Sequence, residues 1–439
     1  MILDERLRWM GFWMLDKMKG GKTREYYDQI RYAWKEGSSV EETEKRIQNL
    51  IAHAVKTTDF YKDYPETCSL EDLPVVNKDT FRQQYDRFVS STYKDAPDNR
   101  VMCTSGSTGT PLRMIQNRDK IRHNTAGGIF LGAAAGYYIG MREASIRVWV
   151  NNVRKSKFQL LQENLIMMDS SRMDEKALEE MFHVIEKKKV KCLVGYSSAL
   201  GELSEYIRKT GRDISRWSVE MVFSMGEALP QETYDLTKEL FGFSPVRSYG
   251  NNENGFIAIQ LDEDSEYTVD LYNFYPEILK LDSDEPAEPG ELGRIVVTDY
   301  YNKTFPMVRY DTGDTGKMRV YYDKNGRVHA KYTEIYGRRG SLMYNTKGEP
   351  LSIHVFMNTL LKFEGTVYQA KCIQWGEKDY ELLVNADRSR LDETELLAAY
   401  RHYLGEDAEL RITYVDQIPI QASGKFMVCE NKWNGRKQA

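Results

Sequence analysis

A short hydroxyl- and glycine-rich segment in the first third of the chain has residue types and spacing suited to binding phosphate. Residues 104–111 read Thr-Ser-Gly-Ser-Thr-Gly-Thr-Pro and lie between two strand-like segments, 101–103 and 112–115. Glycines let the backbone approach a ligand closely, and hydroxyl groups donate hydrogen bonds to phosphate oxygens. The segment lacks the GxxxxGK[ST] pattern, so it predicts a polyphosphate nest of another kind. An ordinary Ser/Thr/Gly turn is the alternative that these residues leave open.

Four further segments combine glycine with charged or aromatic residues. They are Tyr249-Gly250-Asn251-Asn252-Glu253, Tyr310-Asp311-Thr312-Gly313-Asp314, Ile335-Tyr336-Gly337-Arg338 and Pro419-Ile420-Gln421-Ala422-Ser423-Gly424-Lys425. Each has a plain alternative when it is read alone. Glu253 and Asp314 fit ordinary loop carboxylates, and Tyr249 fits a core aromatic at a strand end. Arg338 and Lys425 fit solvated surface cations.

Taken in order and spacing, these segments and the 104–111 loop resemble the motifs of the adenylate-forming superfamily, which includes acyl-CoA synthetases, peptide-synthetase adenylation domains and luciferases. Within it, the chain is most similar to the phenylacetate–coenzyme A ligase branch, which includes proteins encoded with capsular-polysaccharide biosynthesis genes. The stretches from Asn49 to Tyr61 and from Leu70 to Lys78 carry that likeness. The resemblance covers nearly the whole chain. It implies a large N-terminal α/β domain and a small C-terminal domain that rotates between half-reactions.

The resemblance also implies roles for the matching residues. The loop would bind the β- and γ-phosphates of ATP through Thr104, Ser105, Gly106, Ser107, Thr108 and Gly109, with Thr108 also acting in catalysis. Glu253 would act in catalysis by binding Mg²⁺, which prefers carboxylate and phosphate oxygens. The other residues expected at the nucleotide are Gly226, Glu227, Tyr249 (against the adenine), Gly250, Asn251, Asn252, Asp314 (at the ribose hydroxyls) and Arg338 (near the hinge).

Lys425 carries the strongest single expectation. The matching lysine of the family reaches the α-phosphate during adenylation, and a compact ammonium can stabilise the charge that develops there. The chain departs from the family just after Arg338, where Arg339, Gly340 and Ser341 stand in place of the usual aspartate segment. This departure puts the thioesterification conformation in doubt.

Composition bounds the class of protein. The chain has 439 residues, a net charge of -5, 41% apolar residues and 29% charged residues. These values predict a globular protein and argue against a nucleic-acid-binding surface, which usually carries a basic excess. The cysteines form no CxxC pair and the histidines no HxxxH pair, so reduced thiols in the cytoplasm are expected and a His/Cys metal site is not. No signal peptide and no transmembrane segment are expected.

The order of predicted elements gives the fold class, an α/β protein. We expect an N-terminal adenylation domain over 1–338, with a helical start at 1–95, an α/β part at 96–262 with a largely parallel sheet, and a β-rich part at 263–338. The last segment, 339–439, predicts a small mobile α+β domain.

Local signals place three N-terminal helices. Ser38 and Glu41 form a capping-box pattern before a helix over 47–55, and Asn77 would cap another that runs to Phe88. A third helix, around Trp9 to Leu15, is rich in aromatic residues and methionine. It predicts packing on its own domain, with peripheral contact to a membrane surface as the alternative.

The leading functional hypothesis is ATP-dependent activation of a small carboxylic acid as acyl-AMP, followed by transfer to an acceptor in surface-polysaccharide assembly, such as an amine. A coenzyme A ligase of the phenylacetate type is the second hypothesis, and a catalytically silent nucleotide-binding relative is the third. ATP and Mg²⁺ are the expected cofactors, with coenzyme A where a thiol is the acceptor. A homodimer is an expectation by analogy only. Trp149, Asn151 and Asn152 are candidates for the acid pocket, with core packing as the alternative for Trp149.

Overall fold

The computed structural model describes residues 3–103, 112–149, 155–171, 173–263, 265–338, 342–351, 355–356, 359–360, 363, 366–419 and 427–433. The helices in these ranges are α1 (Leu3–Met18), α2 (Lys22–Glu36), α3 (Val40–Thr57), α4 (Lys78–Gln83), α5 (Tyr85–Phe88), α6 (Arg118–Ala134), α7 (Lys157–Glu163), α8 (Glu175–Lys187), α9 (Ser197–Thr210), α10 (Gln231–Phe241) and α11 (Glu393–Leu404).

The strands begin with a hairpin and continue into a long sheet. They are β1 (Arg100–Cys103), β2 (Arg113–Gln116), β3 (Glu143–Arg147), β4 (Leu165–Asp169), β5 (Cys192–Tyr196), β6 (Met221–Met225), β7 (Val246–Asn251), β8 (Gly255–Gln260), β9 (Tyr267–Val269), β10 (Phe274–Leu279), β11 (Gly293–Asp299), β12 (Met307–Tyr322), β13 (Val328–Arg338), β14 (Met343–Tyr344), β15 (Pro350–Leu351), β16 (Val367–Gln374), β17 (Asp379–Ala386), β18 (Glu409–Tyr414) and β19 (Cys429–Asn431).

An 11-stranded sheet organises most of the molecule, in the order β10-β11-β12-β13-β9-β8-β7-β6-β5-β3-β4. From β4 to β7 every neighbouring pair is parallel, whereas from β7 to β10 every pair is antiparallel. The parallel half alternates with α7 to α10, as the predicted α/β part required. The β-rich part does not form a separate sheet. The antiparallel pair of β7 and β8 continues the same sheet from its parallel half into its antiparallel half.

Helices cover both faces of the parallel half. Successive side chains of a strand point to opposite faces, and β6 shows this directly. Val222 packs with α8 and α9, whereas Met221 and Phe223 pack with α2 and α6. The sheet is therefore the middle layer of a three-layer core, and its strand ends are free to carry polar residues. The predicted fold class is confirmed.

The N-terminal helices mostly begin where the sequence indicated. Asn77 accepts hydrogen bonds from the backbone N–H groups of Asp79 and Thr80 and so caps α4. That helix ends at Gln83, and a separate turn, α5, continues to Phe88. The capping-box prediction at Ser38 was wrong by one residue. Ser39 is the N-cap of α3, because Ser38 makes backbone hydrogen bonds in both directions with Val328 and so belongs to a β-bridge.

The C-terminal part forms its own sheet, in the order β18-β17-β16-β19, with α11 packed on it. The predicted β-β-α-β succession appears as β16, β17, α11 and β18. The sequence did not indicate the last strand, β19, which pairs in parallel with β16. It follows Lys425, which lies outside the described residues. Cys372 and Cys429 are opposite one another in this pairing, and both are buried.

The first helix packs one face on the part of the chain that contains the 11-stranded sheet, as expected. The buried Glu5 carboxylate accepts a hydrogen bond from the Tyr138 hydroxyl at 2.8 Å and pairs with Lys191 Nζ at 3.3 Å. Trp13 contacts Tyr27 of α2 edge to face, with ring centroids 5.7 Å apart. No helix in the described ranges is long and apolar enough to cross a bilayer.

Candidate functional site

Three of the motif residues meet where β7, β12 and β13 run close together. The Tyr249 hydroxyl donates a hydrogen bond to Asp314 Oδ2 at 3.0 Å. Asp314 is opposite Arg338 in the β12–β13 register, and Arg338 Nε lies 3.3 Å from Asp314 Oδ1. Arg338 Nη1 also donates to the Thr312 carbonyl at 2.9 Å. The carboxylate of Asp314 is thus held from both sides.

Burial and the charge of Asp314 keep the two proton donors of this group, Tyr249 and Arg338, protonated. Burial is the main cause, followed by the charge of Asp314, that holds the pKa of the Tyr249 phenol well above its usual value. The phenol therefore stays protonated and donates a hydrogen bond. The Asp314 carboxylate in turn raises the pKa of Arg338. Tyr249 also packs edge-on against Tyr332 within the core. The Tyr249 hydroxyl therefore positions Asp314. Its ring packs in the core, which was the alternative expected from the sequence.

Glycine is required at Gly250, beside this group. A Cβ atom at Gly250 would lie 2.3 Å from the Gly255 carbonyl oxygen, far inside contact distance. The β7–β8 register shifts between Tyr249 and Gly250, so the two strands approach closely at this point. Asn251 ends β7, and Asn252 and Glu253 follow directly in the turn between the strands.

Glu253 forms the second group of the site. It is 1% exposed, and its Oε1 atom lies 2.6 Å from Lys78 Nζ. The Tyr310 hydroxyl donates to the same oxygen at 3.3 Å. Burial and the Glu253 charge raise the pKa of Tyr310 well above its ordinary value, which keeps this phenol a donor as well. A buried carboxylate is thus balanced by one cation and one hydroxyl.

Two local interactions place Lys78 next to Glu253. Lys78 is the first residue of α4, whose start is fixed by the Asn77 cap. The preceding residue, Val76, forms a parallel bridge to Tyr310 of β12 and exchanges backbone hydrogen bonds with Arg309 and Asp311. The N-terminal helical region is therefore attached along the strand that carries the Tyr310 motif, and this attachment brings Lys78 into the site.

The predicted phosphate loop is flanked by β1 and β2, but it lies outside the described residues. Cys103 and Arg113 are opposite one another in the antiparallel β1–β2 pair. At the far end of β2, the Gln116 side chain donates to the Glu253 backbone carbonyl at 3.1 Å. The strand that leaves the loop is therefore anchored to the Glu253 segment.

The segment around Glu253 has side-chain amide atoms that form no hydrogen bond with the described residues. Asn251 Oδ1 accepts from the Asn254 backbone N–H at 2.7 Å. Within the described residues, Asn251 Nδ2 and both polar side-chain atoms of Asn254 have no hydrogen-bond partner. Lys120 Nζ donates to the Asn254 carbonyl at 2.9 Å and pairs with the buried Asp299 at 2.6 Å. Hydrogen bonds to its backbone hold the turn in place, and its side-chain amides remain available to bind a ligand.

The donor set suits Mg²⁺ bound together with a nucleotide rather than Mg²⁺ bound by protein alone. Among the described residues no three His, Cys, Asp or Glu side chains cluster as a metal site. Mg²⁺ usually binds one or two carboxylates plus substrate phosphates and keeps several waters. The Glu253 carboxylate, whose backbone carbonyl is hydrogen-bonded to the strand that follows the predicted phosphate loop, fits that arrangement.

Glu227 has a structural contact that its sequence role did not anticipate. Its carboxylate accepts hydrogen bonds from the Ser198 backbone N–H at 3.1 Å and from the Ser198 hydroxyl at 2.7 Å. Ser197 and Ser198 begin α9, so Glu227 is an anion placed at a helix N-terminus. Gly226 has a φ of 76°, in the left-handed region that favours glycine. The Gly226-Glu227 pair therefore connects the end of β6 to the start of α9.

Other candidates are placed as follows. Trp149 is buried, and its indole N–H is directed at the backbone carbonyls of Ser145 and Met168 at 3.2 and 3.0 Å, which favours core packing. Asn151 and Asn152 lie outside the described residues, as does Lys425.

Residue-by-residue reading missed Lys78, Tyr310 and Gln116 as parts of the site. Lys78 and Tyr310 did stand in motifs that the sequence singled out, so the signal was present without a role. Gln116 carried no signal, because a glutamine at a strand end has many uses. Their grouping depends on the β-bridge from Val76 to Tyr310 and on the β1–β2 hairpin, which are tertiary features.

No family model matches the sequence. Among curated proteins, the chain is 20% identical over 431 residues to Protein CapK of Staphylococcus aureus, covering 93% of this chain and 92% of that protein. It is 21% identical over 376 residues to phenylacetate-coenzyme A ligase of Thermus thermophilus, covering 75% and 79% of the two chains.

Solved structures agree on the fold. The crystal structure of 2-hydroxyisobutyryl-CoA ligase in the postadenylation state superposes with a TM-score of 0.68 at 16% identity, covering 91% of this chain and 90% of that one. Both curated relatives match across most of their length, and the second is named for the ligase branch that the motifs resemble. These similarities agree with the resemblance of the motifs to the adenylate-forming superfamily and to its phenylacetate–coenzyme A ligase branch.

Proposed function

We propose that this chain activates a small carboxylic acid as its acyl-AMP and then passes the acyl group to an acceptor in surface-polysaccharide biosynthesis. In the first step a carboxylate oxygen attacks the α-phosphorus of ATP, and pyrophosphate leaves. In the second step the acceptor's nucleophilic atom attacks the acyl carbon, AMP leaves, and the nucleophile loses its proton. Both steps take place in the cytoplasm, where ATP is supplied.

The observation that carries this proposal is that two groups of charged and hydroxyl side chains are linked through β7 and β12. Lys78, Glu253 and Tyr310 form one group, and Tyr249, Asp314 and Arg338 form the other. Tyr249 lies on β7, and Glu253 lies four residues later in the turn that follows. Tyr310 and Asp314 are four residues apart on β12. A metal-binding carboxylate and a ribose-binding carboxylate at this separation suit the two ends of one nucleotide.

Each residue contributes by position or charge. Asp314, oriented by Tyr249 and Arg338, would accept hydrogen bonds from the ribose hydroxyls. Glu253 would hold Mg²⁺, which neutralises phosphate charge when it is bound. The loop residues Thr104 to Gly109 would hold the β- and γ-phosphates.

Lys425 would complete the site from the C-terminal part. We propose a domain boundary at Arg338, with the following segment as the small mobile domain. Its separate sheet and separate core support this division. An ammonium delivered to the α-phosphate stabilises charge that is larger in the transition state than in the bound substrate.

The acceptor distinguishes two versions of the proposal. The motif resemblance to the branch that includes proteins encoded with capsular-polysaccharide genes favours an acceptor in surface-glycan assembly, such as an amine, and the similarity to Protein CapK covers nearly the whole of both chains. The similarity to phenylacetate-coenzyme A ligase, over about three quarters of this chain, supports coenzyme A instead. The replacement of the usual aspartate segment after Arg338 favours the first version, since that segment serves the thioesterification conformation in relatives.

The adenylation step is tested by acid-dependent exchange of label between pyrophosphate and ATP, without coenzyme A, using pools of aryl, fatty, hydroxy and amino acids. Stimulation by one pool is expected. Lys425→Ala should lower the exchange rate about 100-fold or more, the usual effect of losing one charge stabiliser. Lys188→Ala, which removes an exposed lysine at the end of α8, is the matched control and should leave the rate unchanged.

Two results would contradict the adenylation proposal. Near-normal exchange in the Lys425→Ala variant would remove the assigned role of that lysine. Tight ATP binding without exchange from any pool would support the silent nucleotide-binding relative instead. Once an acid is found, AMP release with coenzyme A and with amino sugars or amino acids would choose between the two acceptors.

A further inference from the structure

The outer face of α1 is an exposed apolar surface. The helix packs inward through Glu5 and Trp13, so its opposite side faces solvent. Leu3 is 75% exposed and Met14 is 61% exposed. The large apolar residues of this helix that are exposed are Leu3, Leu7, Trp9, Met10, Met14, Leu15 and Met18. Most recur at intervals of three or four residues, so they form one stripe along the helix.

A second helix extends this surface. Arg8 Nη1 of α1 donates to the Gln162 carbonyl of α7 at 3.4 Å, which brings the last turn of α7 within reach of α1. Phe158 of α7 is 74% exposed and Leu161 is 65% exposed. Exposed apolar side chains scattered singly need no explanation, but a stripe along one helix, with two more exposed apolar side chains on a helix hydrogen-bonded to it, indicates an interaction site.

The charges around this surface are predominantly positive. Arg6, Lys17 and Lys19 are exposed and form no ion pair within the described residues. The nearby carboxylates are already engaged. Asp4 pairs with Arg8 at 3.2 Å, and Asp16 accepts hydrogen bonds from the first backbone N–H groups of α2. The free charge is therefore cationic although the whole chain carries a net charge of -5.

We propose that α1 and α7 bind the surface of an anionic lipid bilayer, with α1 lying in the plane of the interface. The apolar stripe enters the boundary between headgroups and acyl chains, and the flanking cations stay at the level of lipid phosphates. The charge of the surface favours this occupant over a second copy of the chain, because two copies would bring like charges together. The inference is independent of the acid and the acceptor.

The binding is tested by flotation of the full chain with vesicles of phosphatidylcholine alone and with an equal share of phosphatidylglycerol. Binding is expected to the anionic vesicles and to weaken in high salt. Met10→Glu with Met14→Glu should weaken it about 100-fold or more, since two apolar side chains become charged. Tyr322→Glu changes a residue that is 66% exposed on β12 and is the matched control, expected to bind as the unmodified chain does.

The cationic contribution has its own test. Lys17→Gln with Lys19→Gln should weaken binding to anionic vesicles about 30-fold, the effect of removing two surface cations near such a membrane. Thermal unfolding of each variant establishes that it is folded. Absence of flotation with either vesicle would overturn the proposal. So would a dimer in light scattering that the methionine variant dissociates, because the surface would then bind a second copy.

Discussion

The pair of Lys78 and Glu253 gives the sharpest prediction from the structure. The two charges are 2.6 Å apart, Glu253 is buried, and the Lys78 side chain is 18% exposed. Among the described residues, Lys78→Met would leave the buried carboxylate with the Tyr310 hydroxyl as its side-chain hydrogen-bond partner. Removing one partner of a buried pair costs about 3–5 kcal/mol, and the partial exposure of Lys78 puts our expectation at the lower end, about 3 kcal/mol.

A double-mutant cycle isolates the pairwise term. Glu253→Gln keeps an oxygen that can accept from Tyr310, and in the double variant no buried charge is left unpaired. We therefore expect the double variant to lose only about 1 kcal/mol, which gives a coupling energy of about 2 kcal/mol or more. The assay is urea-induced unfolding without nucleotide, compared at a single pH.

The chain offers a matched control pair. Lys62 and Asp59 are 3.4 Å apart, but their side chains are 57% and 71% exposed. The cycle of Lys62→Met with Asp59→Asn should give a coupling energy below about 0.5 kcal/mol. Equal, small coupling energies for both pairs would refute the reasoning that a desolvated ion pair holds the Glu253 carboxylate in the site.

Four further variants have defined outcomes. Gly250→Ala should destabilise the chain by about 1–3 kcal/mol in urea unfolding and reduce exchange activity, because its Cβ would meet the Gly255 carbonyl. Asp314→Asn should weaken ATP binding in calorimetry by about tenfold or more, and Tyr249→Phe should weaken it less, since an arginine still holds the carboxylate. Burial lowers the pKa of His123 well below 6.5, so acid protonates the unfolded chain first. Stability should therefore fall by about 1.4 kcal/mol more in the unmodified chain than in His123→Gln between about pH 7.5 and about pH 5.5.

Local signals allowed the elements to be predicted. The apolar recurrence over 47–55 gave α3, and the asparagine at position 77 gave the start of α4. Alternating strand and helix patterns gave the parallel half of the large sheet. Such signals depend on neighbours within a few residues, and the chain itself carries that information.

Features set by distant contacts were not predictable in the same way. Ser38 has a good capping sequence, yet its backbone is taken up by a bridge to Val328, so the cap moved to Ser39. Glu227 was grouped with the nucleotide because of its motif, and the structure shows its carboxylate at the start of α9. The ion pair of Lys78 with Glu253 joins positions that only the β12 attachment brings together.

Part of the candidate site could therefore be predicted from the sequence. The motifs identified Glu253, Asp314, Tyr249 and Arg338 as a set, and the structure places them in two linked groups. Their roles at the nucleotide stay predictions. The partner of Glu253 and the anchoring of the phosphate-loop strand could not be obtained from spacing, because both rest on side chains from other elements.

The most direct test of acid activation follows the carboxylate oxygen. An acid that stimulates exchange would be supplied with a heavy oxygen isotope in its carboxyl group, together with ATP and an acceptor, and the products analysed by mass spectrometry. Formation of acyl-AMP followed by acyl transfer predicts one labelled oxygen in the released AMP and none in pyrophosphate. Label in orthophosphate with formation of ADP, or unlabelled AMP, would contradict the adenylating mechanism.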